Sequence, residues 1–268
     1  MRIEPLIAFR THVRSVGVPS GICRLAPQRI GVSVLVMVFC AAFSAGAFGQ
    51  VKDIEAEFQD NATSAERKWA RDLKQRAEQG NREAQSELGR AYLNGTVFKK
   101  DPKASVVWIR AAAENGFAEA QLNLGVLYYV GGGVPRDSAK AYFWIRKAAD
   151  QGDPKAEQNL GIMYSIGEGV KRNLPEAIRW YTKAAEKGHP VAAYNIGMVY
   201  EKGIGVPQDE TKAYMWHSIA ATRLGYALSE REIDALNNKL SPSQISEAKK
   251  RADEWVQANP DVKAIPID

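Results

Sequence analysis

The chain has 268 residues, of which 45% are hydrophobic and 25% are charged. This balance is typical of globular proteins and argues against wholesale disorder and against a polytopic membrane protein. The formal net charge of +5 indicates, at first sight, a mildly basic protein suited to an anionic partner, while the presence of only two cysteines excludes a disulfide-stapled scaffold and a four-ligand zinc site.

The first 47 residues have the features of a secretory signal peptide. Five arginines and one glutamate accompany a charge-free apolar stretch, residues 30–43, which is followed by small residues up to Ala47. The sequence therefore predicts export to the periplasm, with cleavage near Ala47. An uncleaved anchor is the alternative, because the uncharged run continues to Val51.

Removal of this leader changes both the charge and the cysteine content. Without the five arginines and one glutamate of residues 1–47, 31 basic and 30 acidic residues remain, and the net charge falls to +1. Both cysteines, Cys23 and Cys40, lie in the leader. The exported chain therefore has no thiol for disulfides, catalysis or metal binding, and no charge excess that predicts a nucleic-acid partner.

The rest of the chain is predicted to be a helical array between two caps. Residues 48–62 are predicted to be a linker, and residues 63–81 an N-terminal capping helix that opens with a capping box at Thr63 and Glu66. Residues 82–225 form the array. Residues 226–258 are predicted to be C-terminal capping helices, with further capping boxes beginning at Ser229 and Ser241, and residues 259–268 a loose tail.

The array consists of four repeats of a 36-residue unit. Five features of the first unit return three more times at intervals of 36: Gly89, Tyr92, Gly95, Trp108 and the pair Ala112-Ala113. In each unit, apolar residues four positions apart predict a helix A, a glycine-containing turn interrupts it, and a second apolar stripe predicts a helix B.

Residues typical of helix starts and helix ends support this division into two helices for each repeat. Asp101, Asp137 and Asp153 are predicted helix N-caps, and Gly152 is predicted to end a helix B. The glycine inside helix A lowers helix propensity by about 1 kcal/mol relative to alanine. We expect close approach of helix B to compensate, with the tryptophan of the repeat packing across the gap.

The motif A-x-x-x-L-G-x-x-Y-x-x-G-x-G-V-x-x-D-x-x-K-A-x-x-W-x-x-K-A-A-x-x-G resembles the Sel1-like repeat, a relative of the tetratricopeptide repeat. It is nearly complete between Ala156 and Gly188, whereas the first unit has Val97-Phe98-Lys99 in its turn, which predicts a reshaped turn there. The resemblance implies an all-α fold, a right-handed α-solenoid of helix-turn-helix repeats with helical caps.

Few residues of the exported chain are arranged as in an active site. His189 and His217 have no neighbouring ligands at metal-binding spacing, so no metal and no cofactor are predicted. Ser246 and Lys249 form an isolated S-x-x-K without the S-D-N or K-T-G that accompanies it in β-lactamases. We therefore predict that the protein is not an enzyme.

The predicted partner-binding surface is the concave side of the solenoid, which helix A residues would line. Apart from asparagines, the residues predicted to line this surface are Leu122, Val126, Tyr129, Gln158, Ile162, Tyr194 and Met198. Beside them, Asn123, Asn159 and Asn195 recur 36 residues apart. Such amides can both donate to and accept from an extended peptide; the alternative is that they bond to neighbouring repeats.

The layout of leader, capping helix, four repeats and helical tail resembles that of periplasmic negative regulators of exopolysaccharide production. The resemblance implies a protein-binding adaptor whose partner is the periplasmic domain of a membrane sensor histidine kinase, with no nucleic acid and no small-molecule substrate. Two alternatives are an envelope enzyme acting on cell-wall peptide or β-lactam and a scaffold of a polysaccharide secretion complex.

His189 precedes Pro190 at the predicted start of the fourth helix A. A positive charge there would oppose the helix dipole. One hypothesis is that mild acid weakens partner binding as this histidine becomes charged; the other is that His189 is an exposed loop residue without such a role.

Overall fold

The computed structural model describes residues 54–266 of the chain, so the predicted leader, residues 1–47, lies outside the described residues. The chain divides into two compact units, Met1–Phe58 and Gln59–Asp268. The described part of the first unit contains a short 3₁₀-helix, Ile54–Glu57.

Within the described residues, the second unit is built from α-helices and contains no β-strand. In chain order the helices are α1 (Ser64–Glu78), α2 (Arg82–Asn94), α3 (Pro102–Glu114), α4 (Ala118–Val130), α5 (Ser138–Asp150), α6 (Pro154–Ile166), α7 (Leu174–Glu186), α8 (Pro190–Lys202), α9 (Glu210–Ser218), α10 (Leu228–Asn237) and α11 (Pro242–Ala258). A π-helical segment, Ile219–Arg223, continues α9. Among the described helices, none combines the length and apolarity needed to cross a membrane.

The helices from α2 to α9 form four stacked pairs, in which the even-numbered helix is helix A and the odd-numbered one helix B. Each helix from α1 to α9 packs mainly against its neighbours in sequence, and α10 and α11 pack on α9 around Ala213, Tyr214 and Leu236. The predicted all-α solenoid is therefore confirmed.

Side-chain caps fix where the helices begin. Asp101 accepts from the backbone N–H groups of Lys103 and Ala104, while Asp137 and Asp153 cap α5 and α6 in the same way. These caps satisfy N–H groups that have no partner within the helix. The three predicted N-caps are confirmed.

The turn of the first repeat differs from the other three. The second turn glycine has φ between +72° and +80° in the later repeats, whereas Val97 occupies that position in the first and does not have a positive φ. Phe98 is fully buried and packs on Tyr92 with 4.6 Å between ring centroids. The side-chain amide of Gln59 donates to the carbonyls of Gly95 and Phe98 at 3.1 and 3.3 Å, which holds this variant turn in place.

Helix B approaches the glycine of helix A closely, but the tryptophan does not fill the gap. A Cβ atom at Gly89 would lie 2.5 Å from Cγ1 of Ile109, the residue after Trp108. The residues at this position in the four repeats are Ile109, Ile145, Tyr181 and His217. The prediction for the tryptophan is wrong because the neighbouring side chain is the one that points at helix A.

The C-terminal cap differs from its prediction in two respects. Thr63 and Ser241 each form the expected capping box, but α10 begins one residue before Ser229, whose buried side chain does not cap the helix. In addition, the tail is not loose: the backbone N–H of Ile265 donates to the carbonyl of Gly188 at 2.9 Å.

Candidate protein-binding surface

The ten predicted partner-binding residues lie on α4, α6 and α8, the helices A of the second, third and fourth repeats. The partly exposed ones are Asn123, Val126, Tyr129, Asn159, Tyr194 and Met198. The buried ones, each between 3% and 8% exposed, are Leu122, Gln158, Ile162 and Asn195. The prediction that these four residues contact a partner is wrong, because the fold itself already buries their side chains.

Apolar exposure rises along helix A instead of being uniform. Leu122 is 7% exposed, whereas Val130, at the C-terminal end of the same helix, is 63% exposed. In the third repeat, Ile162 is 5% exposed and Ile166 is 40% exposed. The open apolar surface therefore lies at the C-terminal ends of the helices A.

We call Val130, Ile166 and Ile204 the apolar edge. Val130 and Ile166 are the last residues of α4 and α6 and are 36 residues apart, while Ile204 lies in the turn that follows α8 and is 39% exposed. Sequence reasoning missed this surface, although the 36-residue spacing of two bulky apolar residues beside a turn was a usable signal.

A polar cluster joins the turns beside this edge. The hydroxyl of Tyr129 donates to Oε2 of Glu168 at 2.9 Å, and Ser138 donates to Oε1 of the same carboxylate at 2.8 Å. Arg136 forms an ion pair with Glu168 and lies over the Tyr129 ring, 5.5 Å from its centroid. Burial and the adjacent carboxylate raise the pKa of Tyr129 to about 12, so its hydroxyl stays protonated and is used within the fold.

The asparagine column does not act as a uniform ladder. The amide of Asn159 donates to the carbonyl of Lys155 in its own helix at 2.9 Å, and Oδ1 of Asn195 is buried without a hydrogen-bond partner among residues 54–266. Only Asn123 and Asn159 present partly exposed side chains to solvent. The described contacts of this column therefore include no bond to a neighbouring repeat.

Amides two positions earlier on helix A do connect the repeats. Gln85 donates to the carbonyl of Ala77 in the capping helix α1, and Gln121 to that of Ala113 in the preceding helix B, both at 3.1 Å. A side chain that directly follows helix B of the same repeat bonds to the residue at this position in three repeats, in the pairs Asn115–Gln85, Gln151–Gln121 and Lys187–Glu157. The third pair replaces two amides with an ion pair.

Burial favours the neutral form of both His189 and His217 in the folded chain. Burial lowers the pKa of His189 to about 4, with a further contribution from Lys155, and burial alone lowers the pKa of His217 to about 4. Both hypotheses for His189 are wrong, because the side chain is buried and stays neutral in mild acid.

The described residues offer no arrangement typical of catalysis. Ser246 and Lys249 both lie exposed on the surface of α11. Within residues 54–266, no group of three or more His, Cys, Asp or Glu side chains is placed to hold a metal ion.

Comparison with known proteins identifies what the repeats are similar to. Residues 82–117, 118–153, 154–189 and 190–229 match the Sel1 repeat family, and together they make up more than half of the chain. The structure of a protective antigen present in uropathogenic Escherichia coli strains, which displays an SLR fold, is 42% identical with a TM-score of 0.57, over 60% of this chain and 34% of that one. A Sel1 repeat protein from Oxalobacter formigenes is 37% identical with a TM-score of 0.52, over 55% of this chain and 60% of that one. The chain thus covers less than two thirds of either protein, and no curated protein matches it.

Proposed function

The chain belongs to the Sel1 repeat family, whose members generally mediate protein–protein interactions, and on this basis we propose that it is a periplasmic protein-binding adaptor. The proposed role is negative regulation of exopolysaccharide production, by binding the periplasmic domain of a membrane sensor histidine kinase and holding the kinase inactive. The layout of the chain, which resembles that of the exopolysaccharide production regulator ExoR, supports this finer assignment.

The apolar edge is the observation that carries the adaptor function. Val130 and Ile166 are 63% and 40% exposed at equivalent positions of adjacent repeats, where a soluble protein gains nothing from apolar side chains. Covering such side chains contributes about 25 cal/mol for each Å² of apolar area removed from water. A partner that presents an apolar helix or extended segment along consecutive repeats would cover both.

The surface around the edge is suited to fix the orientation of such a partner. The cluster of Tyr129, Arg136 and Glu168 lies in the same turns and is held by its own hydrogen bonds, so it is organised before a partner arrives. Partly exposed Val126 extends the apolar surface one helical turn further along α4. Preorganised polar groups beside an apolar centre are the usual composition of a protein interface.

The test measures binding of the purified kinase periplasmic domain to the wild-type chain and to three single variants. We expect Val130→Asp and Ile166→Asp each to weaken binding about tenfold or more, since a charge in the centre of an interface is strongly unfavourable. Val107→Asp is the matched control, because Val107 is 50% exposed but lies on helix B, away from the edge. Circular dichroism establishes that all three variants remain folded.

Different results would contradict the kinase as partner and the adaptor function itself. Absence of binding between the wild-type chain and the kinase domain contradicts the kinase assignment. Crosslinking from position 130 in intact cells then decides the adaptor function: capture of a polysaccharide export complex supports a scaffold instead, and loss of capture in Ile166→Asp locates the partner at the edge. If Val107→Asp weakens binding as much as the edge variants do, the edge is not the binding surface.

A further inference from the structure

The tail that follows α11 returns to the junction between the third and fourth repeats. We call residues 259–265 the strap. At one end of the strap, Nη2 of Arg223 donates to the carbonyl of Pro260 at 2.7 Å, and at the other end the N–H of Ile265 donates to the carbonyl of Gly188 at 2.9 Å. Between these two bonds, Val262 is buried.

A loop of this kind precedes helix A of each of the four repeats, but the strap occupies only the last of these loops. The loop glycine has φ between +81° and +89° at all four positions, Gly80, Gly116, Gly152 and Gly188. A Cβ atom would meet nothing within 4 Å at Gly80 or Gly116, and at Gly152 it would meet only the Lys187 ammonium at 3.1 Å. At Gly188 it would overlap the carbonyl of Lys263 in the strap.

We propose that the loop at Gly188 and the side chain of Arg223 form a binding slot for an extended polypeptide segment, which the chain fills with its own strap. The slot offers a carbonyl acceptor at Gly188, a guanidinium donor at Arg223 and a buried position for one apolar side chain. These groups bind a backbone carbonyl, a side chain two residues later and an N–H three residues after that. Recognition of this kind depends mainly on the extended backbone, with one apolar side chain adding selectivity.

Two further features suit the slot to an exchangeable ligand. Nε of Arg223 is buried without a hydrogen-bond partner among the described residues, so the guanidinium has a donor that the strap does not use. An open cleft of about 480 Å³ lies beside the strap and is lined by Glu186, Lys187 and residues 258–263, so the strap is accessible from solvent along one side. The slot lies at the end of the helices opposite the apolar edge, so the inference does not depend on the proposed function.

The first experiment follows the strap by hydrogen exchange in the full chain. We expect the Ile265 amide of the wild type to exchange about tenfold or more slowly than the same amide in a free peptide, because it is hydrogen-bonded. Gly188→Ala should abolish this protection, whereas Gly116→Ala should retain it, since the two alanines experience the same backbone strain but only one meets the strap. Equal protection in the two variants, or no protection in the wild type, would overturn the docked strap.

The second experiment tests the slot from the side of the ligand. Val262→Asp in the full chain should release the strap without altering the loop, and a synthetic peptide with the sequence of residues 259–265 should then bind to it. We expect affinity for this variant to exceed that for the wild type by about tenfold or more, because the wild-type slot is already filled. Gly188→Ala combined with Val262→Asp should lose the peptide. Equal affinity for wild type and Val262→Asp, or no binding to either, would refute a slot open to an external segment.

Discussion

The substitution Lys187→Ala tests the buried ion pair between Lys187 and Glu157 in the third repeat. The Glu157 side chain is 2% exposed, its Oε1 lies 2.5 Å from Nζ of Lys187, and its Oε2 has no hydrogen-bond partner in the part of the chain that the structure describes. Lys187 also donates to the carbonyl of Gly152 at 3.0 Å. Removing the ammonium therefore leaves a buried carboxylate without the cation that contacts it.

The expected loss follows from the burial of the two charges. Breaking a fully buried ion pair costs about 3–5 kcal/mol, and solvent screening reduces this value because Lys187 is 41% exposed. We expect Lys187→Ala to lower the free energy of unfolding by about 2–3 kcal/mol in urea titrations followed by circular dichroism. A loss below about 0.5 kcal/mol, the usual range for surface substitutions, would refute the reasoning.

The second repeat supplies the matched control. There Gln151 donates to Gln121 at 2.7 Å, so the double variant Glu157→Gln, Lys187→Gln rebuilds the same pair without charge. We expect this variant to lie within about 1 kcal/mol of the wild type, because a buried ion pair and a neutral hydrogen bond differ little in net stability. If the double variant lost as much free energy of unfolding as Lys187→Ala, the shape and reach of the lysine side chain, and not its charge, would account for its stabilising effect.

The pH dependence gives a second readout of the same carboxylate. Burial raises the pKa of Glu157 while Lys187 lowers it, so the lysine-free variant has a folded-state pKa further above the ordinary value of 4.5. The folded state then binds the proton more readily than the unfolded state, and stability rises as pH falls through the raised pKa. The difference between Lys187→Ala and the wild type should therefore shrink from pH 7.5 towards pH 5, whereas the double amide variant should show no such gain.

Two further substitutions test the packing of helix B on helix A. His217→Ile should raise the free energy of unfolding by about 1–2 kcal/mol, because both ring nitrogens are buried without hydrogen bonds and Ile109 fills the same gap in the first repeat. Because burial lowers the pKa of His217 from 6.5 to about 4, the unfolded chain binds the proton more readily, and the fold loses stability as pH falls from 6.5 towards 4. His217→Ile should therefore also reduce the acid sensitivity of the fold, and unchanged sensitivity would contradict this. Gly89→Ala should destabilise the first repeat by about 1–3 kcal/mol in thermal unfolding, because its Cβ would lie 2.5 Å from Ile109 Cγ1, and truncation of Ile109 to alanine should recover part of that loss.

Most of the fold could be predicted because its determinants are local and recur. Turn glycines, aspartate caps and apolar spacing act within one helix or one turn, so a 36-residue period in these features predicts both the helices and their order. The prediction was wrong at the gap beside Gly89, which it assigned to the recurring tryptophan at position 108. The gap is filled by a position that holds isoleucine twice, then tyrosine and histidine, and a position that varies gives no periodic signal.

The candidate site was less predictable because exposure depends on neighbouring elements as well as on position within a repeat. Leu122 and Ile162 were expected to face a partner but are covered, while Val130 and Ile166, one or two helical turns later, are open. Tyr194 shows the effect of the cap: its ring lies 5.2 Å from that of Tyr226, and its hydroxyl donates to Glu232 at 3.3 Å.

The departures from strict repetition concentrate where the array ends. A repeat within a solenoid is covered by the next one, whereas the fourth has no successor and needs other elements to cover it. Here α10 and α11 pack on α9, and the strap closes the loop at Gly188. Gly116 and Gly188 share one backbone conformation, but only the loop at Gly188 contacts the strap. The shape of the loop therefore does not by itself determine whether a segment binds there. Repetition sets the shape of each loop, and the end of the array determines which loop receives an extended segment.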